Sequence, residues 1–444
     1  MNVILLSGGS GKRLWPLSND VRSKQFLKIF SVPGSDKKES MAQRMYKMIK
    51  GAAPSSTITI ATSESQIPQI KTQLGEDVGI SVEPCRRDTF PAIALAAAYL
   101  HDVLKIDVSE PVIVCPVDPY VDEDYFKTLQ VMSENTDKAN ITLMGIEPTY
   151  PSEKYGYIIP SSTDKIAGVK EFKEKPDEET AKKYIKEGAL WNGGVFAFKL
   201  GYMLEKSREL LKTCEHKTLY KNYESLQKIS FDYAVVEKEP EINVIRFGGS
   251  WKDLGTWNTL TEAMDEAVSG KSVADKCENT HVINELELPM VVLGIKNAVV
   301  AATPDGILVS DKHQSSYLKD YVTDSRPMYE RRPWGEYRVL DYKLHKDEKN
   351  SLVKELVINT GEHLSYQRHK KRTEIWTFTE GRGVLVLNDK KREIGIGDTV
   401  VIRPGEKHGV KAVEELHIIE VQIGSELVEE DIKRYDYDWE REWI

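Results

Sequence analysis

The spacing of apolar residues changes once along this chain of 444 residues, and that change limits the folds available to it. From Met1 to about Val268, short apolar runs alternate with helical patterns, which predicts a mixed, mostly parallel sheet covered by helices on both faces. From about Met290 onward, one short apolar run follows another, separated by turns that contain Gly, Pro, Asn or Asp. This second pattern predicts an all-β barrel or sandwich.

The apolar runs also predict individual elements and boundaries. In the first part, strands are predicted at Met1–Leu6, Ser56–Ala61, Val112–Val117, Ile141–Ile146 and Val195–Leu200, and a helix at Pro91–Leu104. In the second part, strands are predicted at Met290–Leu293, Ala298–Ala302, Ile307–Ser310, Leu352–Ile358, Ile375–Thr379, Gly383–Leu387 and Thr399–Ile402. The polar stretch Ser269–Asn284 is interpreted as a linker, and the charged residues around Thr323–Arg332 as a second boundary. The predicted domains are therefore residues 1–268, 269–328 (linker and short strands) and 329–444.

Charge and composition exclude several classes of partner. The net charge of −9 and the lack of a Lys/Arg block argue against nucleic acid, and no apolar span of membrane length is present. Met1 leads directly into the first predicted strand, without the layout of a signal peptide. The four cysteines are dispersed, which favours reduced thiols over a disulfide framework. A cytoplasmic protein is expected.

A glycine-rich turn follows the first predicted strand. Leu6 is followed by the turn Ser7–Gly11 and then by Lys12 and Arg13. Glycines let the backbone approach a ligand and direct N–H groups toward an anion, so the turn predicts a phosphate loop. The dinucleotide fingerprint fails because its third glycine position is Leu14, and the nucleotide P-loop fails because Arg13 follows Gly11-Lys12. A turn without a ligand stays open on these residues alone.

Further marked stretches follow in order along the first part: "EPCRRDTFPAIALAAAYL", "VIVCPVDPYVDED", "EKYGYI", "VKEFKEKP", "WNGGVFAF", "FDYAVVEK" and "GGSWKDLGTWNTLTE". Together with the opening motif, this series resembles the sugar-1-phosphate nucleotidyltransferases, and more closely the mannose-1-phosphate guanylyltransferases. The opening motif matches at Gly8, Gly9, Gly11, Arg13, Leu14, Pro16, Leu17 and Lys24. It departs at Ser23, where the family has proline, and at Asp88–Pro91, where the family has Asn-Thr-Ala-Pro.

The resemblance implies a Rossmann-like domain in which a sugar-1-phosphate oxygen attacks the α-phosphorus of GTP. The implied nucleotide-binding residues are Leu6, Gly8, Gly9, Gly11, Lys12, Arg13, Glu83 and Pro116. Mannose 1-phosphate is implied at Gly156, Glu174, Lys175 and Asn192. The implied catalytic residues are Arg13, Lys24, Asp118 and Asp253, the last two as ligands of Mg²⁺.

The second part contains a possible set of metal ligands. Gln367 and His369 are two residues apart and share one face of a strand, Glu374 begins the next strand, and His408 follows the turn Pro404-Gly405. This spacing resembles the two metal motifs of cupin barrels, with these four residues as ligands of one divalent transition metal such as Zn²⁺ or Co²⁺. A barrel that has kept the fold without the metal is the alternative.

More narrowly, "RPWGEY", "LSYQRHKKRTEIW" and "EEDIKRYD" resemble the type II mannose-6-phosphate isomerase domain over about Tyr329–Tyr437. The resemblance implies interconversion of mannose 6-phosphate and fructose 6-phosphate. Arg372 and Lys354 are candidate phosphate contacts, and solvated surface cations are the alternative for each. Family members have a run of histidines where this chain has His369-Lys370-Lys371. The acidic, aromatic tail Glu429–Ile444 is predicted to be a closing helix or a docking segment at a subunit contact.

The sequence therefore predicts an enzyme with two activities: a guanylyltransferase that makes GDP-mannose, followed by a cupin isomerase. A homodimer is expected. One alternative is a nucleotidyltransferase for another sugar 1-phosphate, and a second is a nucleotide-sugar-binding protein with a non-catalytic cupin. The presence of Arg13, Lys24, Asp118 and Asp253 argues against a pure binding protein.

Overall fold

The computed structural model describes residues 1–9, 12–19, 22–32, 34–322, 327–344, 349–428 and 431–439, without the side chain of Lys12. Its first part contains strands β1 (Asn2–Leu6), β2 (Phe30–Ser31), β3 (Lys38–Glu39), β4 (Thr57–Ser63), β5 (Gly79–Glu83), β6 (Pro111–Pro116), β7 (Pro119–Val121), β8 (Ile141–Ile146), β9 (Tyr157–Pro160), β10 (Ile166–Lys173), β11 (Leu190–Lys199), β12 (Ile242–Phe247) and β13 (Trp251–Asp253). The helices are α1 (Met41–Ala52), α2 (Ile67–Leu74), α3 (Thr89–Asp102), α4 (Glu123–Glu134), α5 (Glu178–Lys186), α6 (Leu200–Leu211), α7 (His216–Asn222), α8 (Phe231–Ala234) and α9 (Trp257–Thr261).

Nine of these strands form one mixed sheet in the order β5-β4-β1-β6-β11-β8-β12-β10-β9. Strands β5, β4, β1 and β6 are parallel, as are β8 and β12, whereas β11 is antiparallel to both of its neighbours β6 and β8. Val3 and Leu5 pack against α1 and α4 on one face, and Ile4 packs against the alanine-rich α3 on the other. The predicted mixed sheet with helices on both faces is confirmed.

The predicted strand at Val195–Leu200 is only the second half of β11, which begins at Leu190. Between Asn192 and Phe196 the pairing of β11 with β8 shifts register, and Gly194 has φ of +68°. A β-bulge at the two glycines therefore interrupts the apolar pattern without ending the strand. The bulge lies beside Asn192, one of the predicted site residues.

The middle region contains β14 (Val268–Ser269), β15 (Ser272–Asp275), β16 (His281–Asn284), β17 (Met290–Leu293), β18 (Ala298–Thr303) and β19 (Gly306–Asp311). Strands β14, β16 and β18 pair in parallel, as do β15 and β17, and β19 joins β18 antiparallel. The interpretation of Ser269–Asn284 as a linker is therefore wrong. Its strands have two to four residues and polar turns, too short for a periodic signal, yet Val282 and Ile283 are buried.

The last part contains β20 (Tyr329–Arg332), β21 (Gly335–Lys343), β22 (Asn350–Ile358), β23 (Tyr366–Arg368), β24 (Arg372–Glu380), β25 (Gly383–Leu387), β26 (Lys390–Ile394), β27 (Thr399–Ile402), β28 (His408–Ala412), β29 (Leu416–Gly424) and β30 (Lys433–Tyr435). They form two antiparallel sheets, β20-β21-β22-β29-β24-β27 and β26-β25-β28-β23-β30. Trp376, Phe378 and Leu385 lie in the core between them. This architecture confirms the predicted all-β domain.

Residues 432–439 of the tail form no helix, so the closing-helix alternative for Glu429–Ile444 is wrong for these residues. Instead, β30 adds a strand beside β23, and Trp439 stacks on His363 with ring centroids 5.1 Å apart. Residues 429, 430 and 440–444 lie outside the described residues. Among the helices that the structure describes, none combines the length and apolarity needed to cross a membrane.

Candidate active sites

The glycine-rich loop begins where parallel strands end. Leu6 at the end of β1 lies opposite Pro116 at the end of β6, and Glu83 ends β5 two strands away. In open α/β sheets this edge is where ligands bind. Gly8 and Gly9 follow Leu6, and a Cβ on Gly9 would have no neighbour within 4 Å among the described atoms. Gly11 and the side chain of Lys12 lie outside the described residues.

Glu83 lies beneath this loop. Its carboxylate accepts a hydrogen bond of 2.7 Å from the Tyr223 hydroxyl, and a Cβ on Gly8 would lie 3.9 Å from Glu83 Oε1. Burial raises the pKa of Glu83 above its usual value, although Tyr223 and Arg86 act in the opposite direction. Arg86 Nη2 donates to the Gly9 carbonyl at 3.2 Å. The predicted nucleotide-binding residues that the structure describes therefore lie at one edge of the sheet.

Lys24 contacts both predicted magnesium ligands. Its Nζ lies 2.5 Å from Asp118 Oδ2 and 3.7 Å from Asp253 Oδ1. The two carboxylates meet because β13 pairs antiparallel with β7, which puts Asp253 opposite Pro119, the neighbour of Asp118. Burial lowers the pKa of Lys24, but the two carboxylates outweigh this effect and the net pKa is raised. Lys24 therefore carries a positive charge at neutral pH.

Arg13 reaches the same place from the glycine-rich loop. A Cβ on Gly255 would lie 3.0 Å from Asp253 Oδ1 and 3.2 Å from Arg13 Nη1, so both groups surround this glycine. Arg13 is exposed and the side chains of Asp118 and Asp253 are 30% and 36% exposed, which leaves them accessible to a ligand. Two accessible carboxylates fit Mg²⁺, which takes one or two protein carboxylates and completes its shell with phosphate and water. The structure brings the four predicted catalytic residues together.

The predicted sugar-phosphate residues form a second group. The Asn192 backbone N–H donates to the Gly156 carbonyl at 2.8 Å, and a Cβ on Gly156 would lie 2.5 Å from Glu174 Oε2. A side chain at this position would displace the Glu174 carboxylate and the Phe172 ring. Lys175 Nζ lies 2.6 Å from Glu174 Oε1. Gly156, Glu174, Lys175 and Asn192 are therefore adjacent in space.

Asp232 is a member of this group that the sequence analysis missed. Its Oδ1 accepts a hydrogen bond of 2.7 Å from Asn192 Nδ2. Burial, together with the nearby Glu174 carboxylate, raises the pKa of Asp232 to about 7. The quoted stretch "FDYAVVEK" contains Asp232, but an acid in the first turn of a helix is ordinarily assigned to the helix dipole.

An aromatic wall, which was also missed, joins the two groups. The Tyr155 ring packs against Trp191 and Trp251 with centroids 4.9 and 5.7 Å apart. Trp191 precedes Asn192, and Trp251 begins the strand β13 that carries Asp253. Burial and the charge of Asp253 raise the pKa of the Tyr155 hydroxyl. The sugar-phosphate group and the carboxylate pair thus share one wall.

The predicted cupin ligands converge in the second domain. Glu374 Oε1 lies 3.0 Å from His369 Nε2, and Glu374 Oε2 lies 3.3 Å from His408 Nε2. All three side chains are buried, and these donor atoms lie within 4.8 Å of one another. Glu374 Oε2 and His408 Nε2 have no hydrogen-bond partner among the described residues. Buried ligand atoms that face one another and have no hydrogen-bond partner fit a metal ion.

Gln367 and two cations border the same cavity, which has a volume of about 360 Å³. Gln367 on β23 pairs with His408 on β28, and its Oε1 accepts from the Ser365 hydroxyl at 2.8 Å. Arg372 Nε donates to Glu374 Oε1 at 2.9 Å, and Lys354, on strand β22 of the same sheet, also lines the cavity. Burial lowers the pKa of His369, which keeps its imidazole neutral and available as a ligand.

Comparison with known proteins places both domains in families. Residues 2–270 match the nucleotidyl transferase family model, and residues 321–437 match the model for the mannose-6-phosphate isomerase C-terminal domain. A xanthan biosynthesis protein, XanB, from Xanthomonas campestris is 30% identical over 98% of this chain and 97% of its own. The mannose-1-phosphate guanylyltransferase RfbM from Salmonella typhimurium is 29% identical over 99% of this chain and 98% of its own.

The chain belongs to the mannose-1-phosphate guanylyltransferase family. A solved structure described as mannose-1-phosphate geranyltransferase from Thermus thermophilus agrees with the fold of this guanylyltransferase-family chain. It is 28% identical, with a TM-score of 0.62, and covers 72% of this chain and 97% of its own. The resemblance predicted from the sequence motifs is confirmed for both domains of this member of the guanylyltransferase family.

Proposed function

We propose that this enzyme transfers a guanylyl group from GTP to mannose 1-phosphate, giving GDP-mannose and pyrophosphate. The convergence of Arg13, Lys24, Asp118 and Asp253 beside the glycine-rich loop carries the proposal. Both reactants are anions, so the site must neutralise their repulsion and align them rather than supply a nucleophile.

Each residue has a role that follows from its place. The backbone of Gly8 and Gly9 and the Arg13 guanidinium bind the triphosphate, and Arg13 can contact two phosphate oxygens at once. Lys24 places a compact charge at the phosphate that reacts. Asp118 and Asp253 would hold Mg²⁺, which supplies charge neutralisation at the phosphate oxygens. A phosphate oxygen of the sugar attacks the α-phosphorus, and pyrophosphate leaves.

The second group of residues binds the sugar phosphate in this proposal. Glu174 and the Asp232–Asn192 pair offer acceptors and donors for hydroxyl groups, and Lys175 offers a charge for the phosphate. The aromatic wall of Tyr155, Trp191 and Trp251 provides an apolar face for the pyranose ring.

The cupin domain would interconvert mannose 6-phosphate and fructose 6-phosphate. His369, Glu374 and His408, with Gln367 beside them, would hold a divalent transition metal such as Zn²⁺ or Co²⁺, which polarises the substrate carbonyl. Arg372 and Lys354 line the cavity and provide cations for the phosphate. The facing pair Glu374 Oε2 and His408 Nε2 is the observation that supports this activity.

One assay tests the transferase. Pyrophosphate release is measured with each of the four nucleoside triphosphates and with several sugar 1-phosphates, and GTP with mannose 1-phosphate is expected to give the highest kcat/KM. A higher kcat/KM for another pair of nucleoside triphosphate and sugar 1-phosphate would change the substrate assignment but not the reaction class. Conversion of mannose 6-phosphate, measured on the same protein, tests the cupin. We expect the enzyme to act in the cytoplasm. We also expect it to be a homodimer, and light scattering would test this oligomeric state.

A further inference from the structure

The middle strands pack directly beneath the segment that links Arg13 to Lys24. Leu14 and Leu17 belong to one apolar core with Val299, Ala301 and Leu308. All five side chains are buried. The strands β18 and β19 therefore form the floor on which the described part of this segment, residues 14–19 and 22, lies.

Two close contacts fix the start of the segment. The Thr303 hydroxyl donates to the Pro16 carbonyl at 2.9 Å, and both residues are buried. Gly306 lies against Trp15, where a Cβ would come within 2.3 Å of the indole Cζ2. Since no side chain fits in that space, the turn between β18 and β19 is shaped to the Trp15 ring.

Asp305, in the same turn, holds the middle of the segment. Its Oδ2 accepts from Asn19 Nδ2 at 2.8 Å, and its Oδ1 accepts from the Met328 backbone N–H at 2.6 Å. Asn19 in turn accepts from the Arg22 backbone N–H at 2.6 Å. The Asp305 carboxylate thus connects Asn19 of the transferase domain to Met328, the residue just before β20.

Glu285 holds the end of the segment. Its two oxygens accept from Arg22 Nη1 and Nη2 at 2.6 and 2.7 Å, the fork geometry that gives both strength and direction. The two side chains are 25% and 31% exposed, so the pair is partly shielded from water. Glu285 directly follows β16 and is itself fixed by a bond from its N–H to the Ala302 carbonyl.

We propose that Glu285 and Asp305 are positioning residues for the transfer reaction, acting through Arg22 and Asn19 on the placement of Lys24. Arg22 is two residues from Lys24, a span of roughly 7 Å at most, so displacement at one is passed to the other. A misplacement of about 1 Å at a reacting group can cost about a hundredfold in rate. Glu285 and Asp305 belong to the region 269–328, predicted as a linker with short strands, and they act on the site without contacting the four catalytic side chains among the described residues.

The test is Glu285→Gln in the full chain, with kcat, KM and Tm measured together. The positioning role of Glu285 rests on the proposed guanylyl transfer. An inactive wild-type enzyme would therefore contradict that function rather than the positioning role. We expect kcat to fall about tenfold or more, with both KM values within about threefold of wild type and an unchanged Tm. Glu287→Gln is the matched control, because it removes an ion pair to Lys271 in the same region that is exposed on both sides. This control should leave kcat unchanged.

A double-mutant cycle separates positioning from general loss of structure. If Glu285 acts through Arg22, Arg22→Gln combined with Glu285→Gln should lower kcat no further than the worse single variant. A kcat within twofold of wild type for Glu285→Gln, or losses that multiply in the double variant, would overturn the proposal. If Glu285→Gln does not fold, Asn19→Ala decides the matter by the same criteria, because it removes the contact to Asp305 from a half-buried position.

Discussion

At the scale of single residues, the transferase site depends on one cation between two acids. Lys24 Nζ contacts both Asp118 and Asp253, and the Arg13 guanidinium and the Asp253 carboxylate both lie beside Gly255. The positive charge of Lys24 therefore offsets the negative charges of both carboxylates. This arrangement explains how two acids can lie close together without a large mutual repulsion.

Replacing either acid should stop transfer. Asp118→Asn or Asp253→Asn keeps the size of the side chain but removes a magnesium ligand charge, and we expect kcat to fall by about a hundredfold or more. Pyrophosphate release at saturating substrates and low magnesium measures the effect. Asp124→Asn, an exposed acid paired with Lys127 on α4, is the control and should be as active as wild type. Normal turnover by an Asp118 or Asp253 variant would contradict the assignment.

Arg13 tests the role of the glycine-rich loop. Arg13→Ala should slow pyrophosphate release about a hundredfold, as expected for loss of one preorganised contact to the reacting phosphates. Arg13→Lys should recover only part of the rate, because a point charge cannot make two parallel contacts. Nearly full activity of Arg13→Ala would show that the loop binds something other than the triphosphate.

Asp232 predicts a pH dependence of stability. Because its pKa in the folded protein is raised to about 7, the folded state holds a proton that the unfolded state releases near pH 4. The stability contributed by this residue is therefore lost as pH rises from about 4 to about 7. Asp232→Asn should raise Tm by a few degrees at pH 8 and by much less at pH 5. An equal change in Tm at both values would contradict the prediction.

The residue types of the site could be predicted, but their partners could not. Motif order led to Lys24, Asp118 and Asp253, whereas Asp232 escaped because only the fold brings it to Asn192, 40 residues away. The departure at Phe90 has a physical explanation: its side chain, in the first turn of α3, is buried in the core, so it does not alter a binding surface. Asp88 has φ of +69° and caps that helix at the Thr89 N–H.

At the scale of elements, the cupin ligands lie on, or directly after, three strands that only the fold brings together. His369 follows β23, Glu374 lies on β24, and His408 begins β28. Strand alternation predicted that Gln367 and His369 share a face, but the convergence with His408 depends on the pairing of β23 with β28. Pairings between strands this far apart in sequence have no local signal.

Removing both histidines should remove the metal. We expect His369→Ala combined with His408→Ala to abolish metal content and isomerase activity, while GDP-mannose synthesis survives because its residues lie in another core. Metal analysis of the purified proteins, with both assays, measures this. His417→Ala is the control, since His417 lies near Glu415 and Glu380 and outside the metal group. Equal metal content in the double variant and wild type would contradict the site.

The strands of the middle region show where sequence patterns fail. The longer runs at Ala298–Thr303 and Gly306–Asp311 were predicted nearly to their ends. The region around Ser272–Asp275 and His281–Asn284 was not, because strands of four residues between polar turns give no measurable period. Parallel pairing to later strands stabilises them, and that information lies outside the segment itself.

At the scale of the whole molecule, the transferase domain and the middle strands share one core. Leu14, Leu17, Trp257 and Leu260 pack with Val299 and Leu308. A chain ending at residue 268 would expose these side chains, each worth about 1.5–3 kcal/mol, against a total stability of about 5–15 kcal/mol. We expect that chain to be unfolded by circular dichroism, whereas a chain ending at residue 328 should fold and keep its transferase rate within about threefold. A folded, active chain of residues 1–268 would contradict the prediction.

The floor of middle strands beneath residues 14–19 also bears on how such two-enzyme chains can be recombined. Trp15 and Gly306 fit each other so closely that a bulkier residue at either position would need a change at the other. A chimera of two relatives joined near residue 268 would take Trp15 from one parent and Gly306 from the other. The two contacting surfaces would then no longer be matched. A crossover near residue 328 would keep the contacts of Leu14, Trp15, Pro16 and Arg22 with the middle strands within one parent. The Asp305 bond to the Met328 backbone needs only a non-proline residue at position 328. The cupin is therefore the exchangeable module of this chain, and the middle strands are inherited with the transferase.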